Sequence, residues 1–262
     1  MARRLIDISI PLTNHIVSDP PHMRPKIEYK THHDTAPQMA AYMGVKLEDL
    51  PEGEYAAVET VTLSTHNGTH LDAPYHFFSR MNEAIKPGGE PSATIDQIAL
   101  DWCYRPAVKL DFRHLADGYV ATPEDVQAEL KRIGHDLQPL DIVLVNTAAG
   151  AAFGDDDFID RGCGVGNAAT RWLLDQGVRV TGTDGWSWDA PFSHTREKIK
   201  AGGSPKLIWE GHRAGRDIGY CHLEKLWQLD RLPDSGFEVI CFPVKVEAAS
   251  AGWTRAVAVV ED

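Results

Sequence analysis

No stretch of the sequence approaches the ~18 consecutive apolar residues of a membrane-spanning helix. Cysteine is scarce, with four in 262 residues. Cys103, Cys163, Cys221 and Cys241 lie far apart and form no CxxC pair. That leaves small buried apolar residues in a reducing cytoplasm as their expected role. Basic residues are outnumbered, 26 Lys+Arg against 38 Asp+Glu, for a net charge of -12. Without basic clusters a nucleic-acid partner is not expected, because phosphate binding needs a positive footprint. An anionic substrate is not excluded, since one ion or one Arg reverses the local field. The N-terminus reads as a poor secretory signal, because the apolar run after Arg3 and Arg4 is broken by Asp7 and stopped by Pro11. Internal repeats, low-complexity tracts and clear domain boundaries are also lacking. The expectation is a single domain over residues 1–262, cytoplasmic and without a membrane partner.

What is present reads as mixed α/β. Strands are predicted over residues 4–10, 56–64, 106–112, 141–146, 178–183, 237–246 and 254–260, with a turn around 250–252. Thr122-Pro123-Glu124-Asp125 is a helix start, with Thr as N-cap, Pro at the first helical position and acids in the first turn. Val126, Leu130 and Ile133 give that helix its apolar stripe, and Gly134 ends it. A second helix is expected over 167–176. Residues 13–56, with Pro20, Pro21, Pro25, Pro37 and Pro51, read as an irregular arm, lid or subunit contact.

The densest chemistry lies in His66-Asn67-Gly68-Thr69-His70-Leu71-Asp72-Ala73-Pro74-Tyr75-His76. Imidazole and carboxylate are ligands for zinc or manganese. His66 and His70 would share a helix face, whereas His70 and Asp72 would share a strand face. No single regular element satisfies both, and Gly68 and Pro74 argue against a long helix. A strand running into a tight loop is therefore expected, aiming several side chains at one point. Ligands from elsewhere must complete such a site. The downstream candidates are His194, His212, His222 and Glu224. Of these, Glu224 opens what reads as a short amphipathic element with Leu223, Leu226, Trp227 and Leu229, and a solvated helix face is the plain alternative for it and more so for His222.

The eleven-residue stretch resembles the HxGTHxDxPxH signature of the metal-dependent cyclase family, which includes bacterial kynurenine formamidases and isatin hydrolases. The motif is highly specific, and a looser likeness extends over most of the chain. The resemblance implies that His66, His70 and Asp72 bind a divalent metal and that His76 beside it moves protons. It implies that His212 and Glu224, twelve residues apart, complete a two-metal site with Asp72 and Glu224 bridging. It also implies that Thr183-Asp184-Gly185-Trp186-Ser187 lies at a strand end near the site. Asp184, Trp186, Ser187 and Trp188 are thus candidates for substrate contact, with turn capping and core filling as the alternatives. A cyclase-like sheet with outer helices is implied, as is a homo-oligomer (dimer or tetramer) with the N-terminal arm across its interface. Two features depart from the formamidase branch and point away from kynurenine. Val17-Ser18-Asp19-Pro20-Pro21 lacks the Trp of that branch, and the segment 185–211 is longer.

The expected chemistry is hydrolysis. A divalent ion lowers the pKa of its water toward ~7 and stabilises a developing oxyanion. An unperturbed histidine, near ~6.5, can pass a proton either way at neutral pH. The substrate class expected is a small cyclic or aromatic amide, lactone or acylated amine. A lyase or cyclase using the ion as Lewis acid is the alternative, and a metal-dependent binding protein is a third reading. Zinc against manganese, and one ion against two, stay open.

Overall fold

The structure, a computed structural model, describes residues 3–261. Its centre follows from the continuous apolar strand Ile142–Asn146, whose residues are all buried. Ile142 and Leu144 face one core, and Val143 and Val145 face another, as the two-residue period of a strand requires. Tyr104–Asp111, Ile142–Asn146, Val180–Thr183 and Cys221–Glu224 run parallel in that order. Antiparallel strands continue both sides: Phe237–Ile240, Val257–Glu261 and Arg3–Asp7 beyond one, His70–Asp72 and Ala251–Trp253 beyond the other. The result is one nine-stranded mixed sheet. It curls so that the chain beyond the edge strand Arg3–Asp7 meets the chain beyond the interior strand Cys221–Glu224: Ser9 bridges to Leu226, and the Trp227 N–H donates to the Ile8 carbonyl at 2.9 Å.

Two helices cover the Val143 face. Pro123–Ile133 contributes Val126 and Leu130, and Asn167–Asp175 contributes Ala169 and Leu173. The first begins as expected: Thr122 Oγ1 accepts from Asp125 N at 3.3 Å and Gly134 closes it at φ +71°. The opposite face packs Ile8, Leu71, Leu144 and Leu223. All four cysteines are buried and unpaired. No helix among the described residues is long and apolar enough to cross a membrane.

Three expectations need correction. Residues 13–56 are not irregular throughout. They hold the helix His32–Met43 and the strand Lys26–Lys30, which pairs with Val58–Thr62. Asp34 caps the helix start by accepting from Thr31 N at 2.8 Å, and Gly44 ends it at φ +68°. Pro37 removes one backbone hydrogen bond within the helix, whose two ends are both capped. Cys221–Glu224 is a buried strand rather than an amphipathic element, and the turn at 250–252 is the edge strand Ala251–Trp253. Runs this short carry too few periods to distinguish strand from helix.

Candidate metal centre

The strand His70–Asp72 lies between Cys221–Glu224 and Ala251–Trp253. Its register with Cys221–Glu224 pairs Asp72 with His222 and His70 with Glu224. Because side chains alternate, residues two apart on each strand share a face. Four side chains able to ligate a metal therefore converge from two strands. The turn before His70 depends on Gly68, which sits at φ +62° and whose absent Cβ would fall 2.6 Å from Leu12 Cδ2. After Asp72, Pro74–Phe77 forms one helical turn that returns His76 toward the carboxylate, at 3.8 Å.

Two donor groups result, and Asp72 belongs to both. One is Asp72, His212, His222 and Glu224; the other is His66, Asp72 and His76. His222 Nε2 stands 3.1 Å from Asp72 Oδ2 and 3.3 Å from Glu224 Oε1. His212 Nε2 is 4.0 Å from Glu224 Oε1. His70 Nε2 lies 3.2 Å from Asp72 Oδ1 and 3.6 Å from Glu224 Oε2. His66 Nδ1 is 2.9 Å from Asp72 Oδ1. Tetrahedral ligands held ~2.1 Å from an ion stand roughly 3.4 Å apart, so these spacings suit a shared cation. Two buried atoms give a sharper test. His70 Nε2 and Asp72 Oδ1 have no hydrogen-bond partner, although both point into the cluster. Buried polar atoms are rarely left so, and a divalent ion satisfies both.

The imidazoles are held from behind, as metal-ligating histidines usually are. His70 Nδ1 meets the Gly68 carbonyl at 2.9 Å, His212 Nδ1 meets Asp189 Oδ2 at 2.7 Å, and His222 Nδ1 meets Tyr220 Oη at 3.3 Å. Glu224 Oε1 accepts from Trp188 N at 3.0 Å. Burial works against charge here, but proximity prevails for most groups. Against their burial, the surrounding histidines hold Asp72 well below the usual carboxylate range and Glu224 near about 2. Against its own burial, His222 is pushed up to about 9 by Asp72 and Glu224. His76 differs. Burial lowers it to about 4, with His66 and His212 adding to the effect against the pull of Asp72. It is therefore neutral at pH 7 and able to accept a proton.

Beneath the loop lies a buried ion pair. Lys225 Nζ donates to Asp19 Oδ1 and, at 2.8 Å, to the His66 carbonyl. Asp19 also accepts from Asn67 Nδ2 at 3.0 Å, Trp186 Nε1 at 3.1 Å and Ser18 Oγ at 3.1 Å. Asp19, the residue in the segment lacking the family's Trp, thus ties the N-terminal chain to the histidine loop.

The structure gathers His66, His70, Asp72, His76, His212 and Glu224 together with His222, a downstream candidate that the sequence reading left outside the ligand set. The signal was available: His222 and Glu224 stand two apart, as His70 and Asp72 do, and a strand reading puts each pair on one face. His194 lies elsewhere, with Nε2 3.1 Å from the Asp160 carbonyl. Asp184 is buried beside Thr147, accepting from its N–H at 2.9 Å and its hydroxyl at 2.7 Å. Ser187 Oγ receives a long contact from Asp189 N, 3.4 Å. Trp188 has no surface for a substrate: it is fully buried, its Nε1 donates to Thr170 Oγ1, and its ring stacks on His222 at 6.0 Å. Its part is core support, because the strand end turns it inward. Trp186 faces Asp19 on one side and Phe192 at 5.4 Å on another.

The "Putative cyclase" family model matches residues 6–190. Similar curated proteins are kynurenine formamidases from Salinibacter ruber and Erythrobacter litoralis. The first is 30% identical over 198 residues, 76% of this chain and 77% of that protein. The second is 26% identical over 208 residues, 79% of each. Among solved structures, isatin hydrolase A from Ralstonia solanacearum superposes with a TM-score of 0.74 at 23% identity, over 99% of this chain and 92% of that one. Isatin hydrolase A from Labrenzia aggregata gives 0.73 at 21%, over 99% and 94%. These solved structures share the curled mixed sheet with outer helices.

Proposed function

The chain belongs to the cyclase family of metal-dependent hydrolases, and on that premise we propose that it cleaves a C–N or C–O bond at a carbonyl. The substrate is a small cyclic or aromatic amide, lactone or acylated amine. The observation that carries this reading is the pair of unpartnered buried atoms, His70 Nε2 and Asp72 Oδ1, at the centre of the cluster. His66, His70, Asp72, His212 and Glu224 hold the divalent ion, zinc or manganese, and His222 joins them. Asp72 stands between His66 on one side and His212, His222 and Glu224 on the other, which favours two ions over one. When bound, the ion supplies an activated water and Lewis-acid stabilisation of the carbonyl oxygen. The polypeptide supplies the rest. Asp189 and Tyr220 fix the His212 and His222 rings. His76, half-buried at the opening and neutral at pH 7, takes the water proton and returns it to the leaving nitrogen or oxygen. The kynurenine formamidase relatives support an amide or acylated amine.

A lyase or cyclase reaction remains the second reading, since the same donor set serves a Lewis acid. Hydrolysis in oxygen-18 water decides between them: solvent oxygen in the product supports the proposal, and its absence in a turned-over product overturns it. Metal content by mass spectrometry of protein prepared without chelator tests the centre itself. About two ions per chain is expected, and none after reconstitution would refute the reading.

The N-terminal arm supports a homo-oligomer. Tyr29, Tyr42, Met43 and Val58 are 50–82% exposed on adjoining elements of residues 26–62, an apolar surface that a second copy would cover. The four unpaired cysteines fit a reducing cytoplasm.

A further inference from the structure

A cavity of about 420 Å³ adjoins the metal centre without being part of it. It lies within the long segment after Trp188, under the helix Phe192–Lys200, and Phe192, Ile199, Leu207, Ile208 and Trp209 form its walls. Arg196 and Lys200 also line it. Glu197 takes both charged heads, at 3.5 Å and 2.9 Å, so what these residues offer the cavity is their methylene stems. The lining is apolar, and the volume suits a small-molecule group rather than a water cluster.

Two residues belong to both the cavity and the centre. Asp189 lines the cavity and orients His212. Trp209 lines the cavity, stacks on the His212 ring at 3.9 Å, and stands 5.3 Å from His76. Trp209 also has φ +61°, a left-handed conformation that costs free energy for a bulky side chain. Its ring is held by the His212 stack and by a 3.4 Å bond from Nε1 to the Phe77 carbonyl. One indole is therefore the common wall of the reactive centre and an apolar chamber.

We propose that this chamber is a substrate subsite: the molecule cleaved at the centre carries an extended uncharged aryl or branched-alkyl group that runs along Trp209 and fills it. This rests on the hydrolase reading and narrows its substrate class. Substrates no larger than a bare amide or lactone ring leave the chamber unused.

Binding of hydroxamates to the metal-loaded protein tests the two readings separately. Acetohydroxamate reports the metal centre alone, and 6-phenylhexanohydroxamate adds a tail long enough to reach the chamber. The tail is expected to tighten binding at least about thirtyfold, given the area a phenylalkyl group removes from water. Ile199→Trp, which fills the chamber from a half-buried position, should abolish that gain while leaving acetohydroxamate binding unchanged. Leu207→Phe, a milder filling, should reduce it. A tail that adds nothing, or a gain that survives both substitutions, overturns the subsite while the metal centre stands. Failure of acetohydroxamate itself to bind overturns both.

Discussion

Replacing Lys225 by methionine should unfold this protein more readily than its distance from any reacting atom suggests. The Lys225 and Asp19 side chains are 2% and 0% exposed, so neither charge can turn to water when the other is removed. Lys225→Met leaves the Asp19 carboxylate with only the neutral donors of Asn67, Trp186 and Ser18. Breaking a buried pair in this way costs about 3–5 kcal/mol. Asp19→Asn in the same protein removes the stranded charge and keeps an oxygen for those donors. The double variant should therefore recover most of the loss, ending about 1–2 kcal/mol below wild type. Urea unfolding of the four proteins, followed by tryptophan fluorescence, gives the double-mutant cycle. Coupling of at least about 2 kcal/mol is expected. The His66 carbonyl also loses its donor in Lys225→Met, so metal affinity should fall about tenfold or more, as for other outer supports of a metal site. A single variant within about 1 kcal/mol of wild type, or two substitutions that simply add, would refute the reasoning.

Other perturbations have defined outcomes. Burial raises the Asp184 carboxyl from 3.8 to about 7, so its contribution to stability is full below pH ~4 and is lost as pH rises through ~7. Wild type should lose up to about 4 kcal/mol over that interval and Asp184→Asn should not; parallel urea midpoints at about pH 5 and 8 would contradict this. Asp72→Ala should abolish metal binding altogether, because both donor groups share it, whereas His222→Ala should weaken one ion about tenfold or more, read by metal titration. His76→Ala should retain the metal and lose about 10²–10⁴ in kcat; full turnover in that variant removes His76 from proton transfer.

The legibility of this chain in its sequence follows the length of its signals. The helix at Pro123–Ile133 was readable because Thr122, Pro123, Asp125 and Gly134 each mark an end by their own backbone chemistry. Ile142–Asn146 was readable because Ile142, Val143, Leu144 and Val145 form an aliphatic, largely β-branched run, which favours a buried strand. The histidine loop was readable as chemistry because so many ligand types fall within eleven residues. His222 was harder to read, since its place beside Asp72 depends on a strand register between residues 150 apart. The helix His32–Met43 was obscured by Pro37. Trp188 and Trp209 show the remaining limit: both lie in one aromatic-rich segment, yet one supports the core and the other walls the centre. Only the path of the backbone, including the positive φ at Trp209, separates them.

The pairing of Asp72 with His222 spans 150 residues, and this has a consequence for biosynthesis. The segment from His66 to His76 emerges from the ribosome with its imidazoles exposed, long before His212, His222 and Glu224 exist to meet them. Its central strand cannot be anchored on either side until Cys221–Glu224 and Ala251–Trp253 have been made. On the proposed function, metal loading would follow closure of the curled sheet rather than folding of a local unit. Limitation for metal in the growing cell should accordingly accumulate full-length chains that are open at this seam.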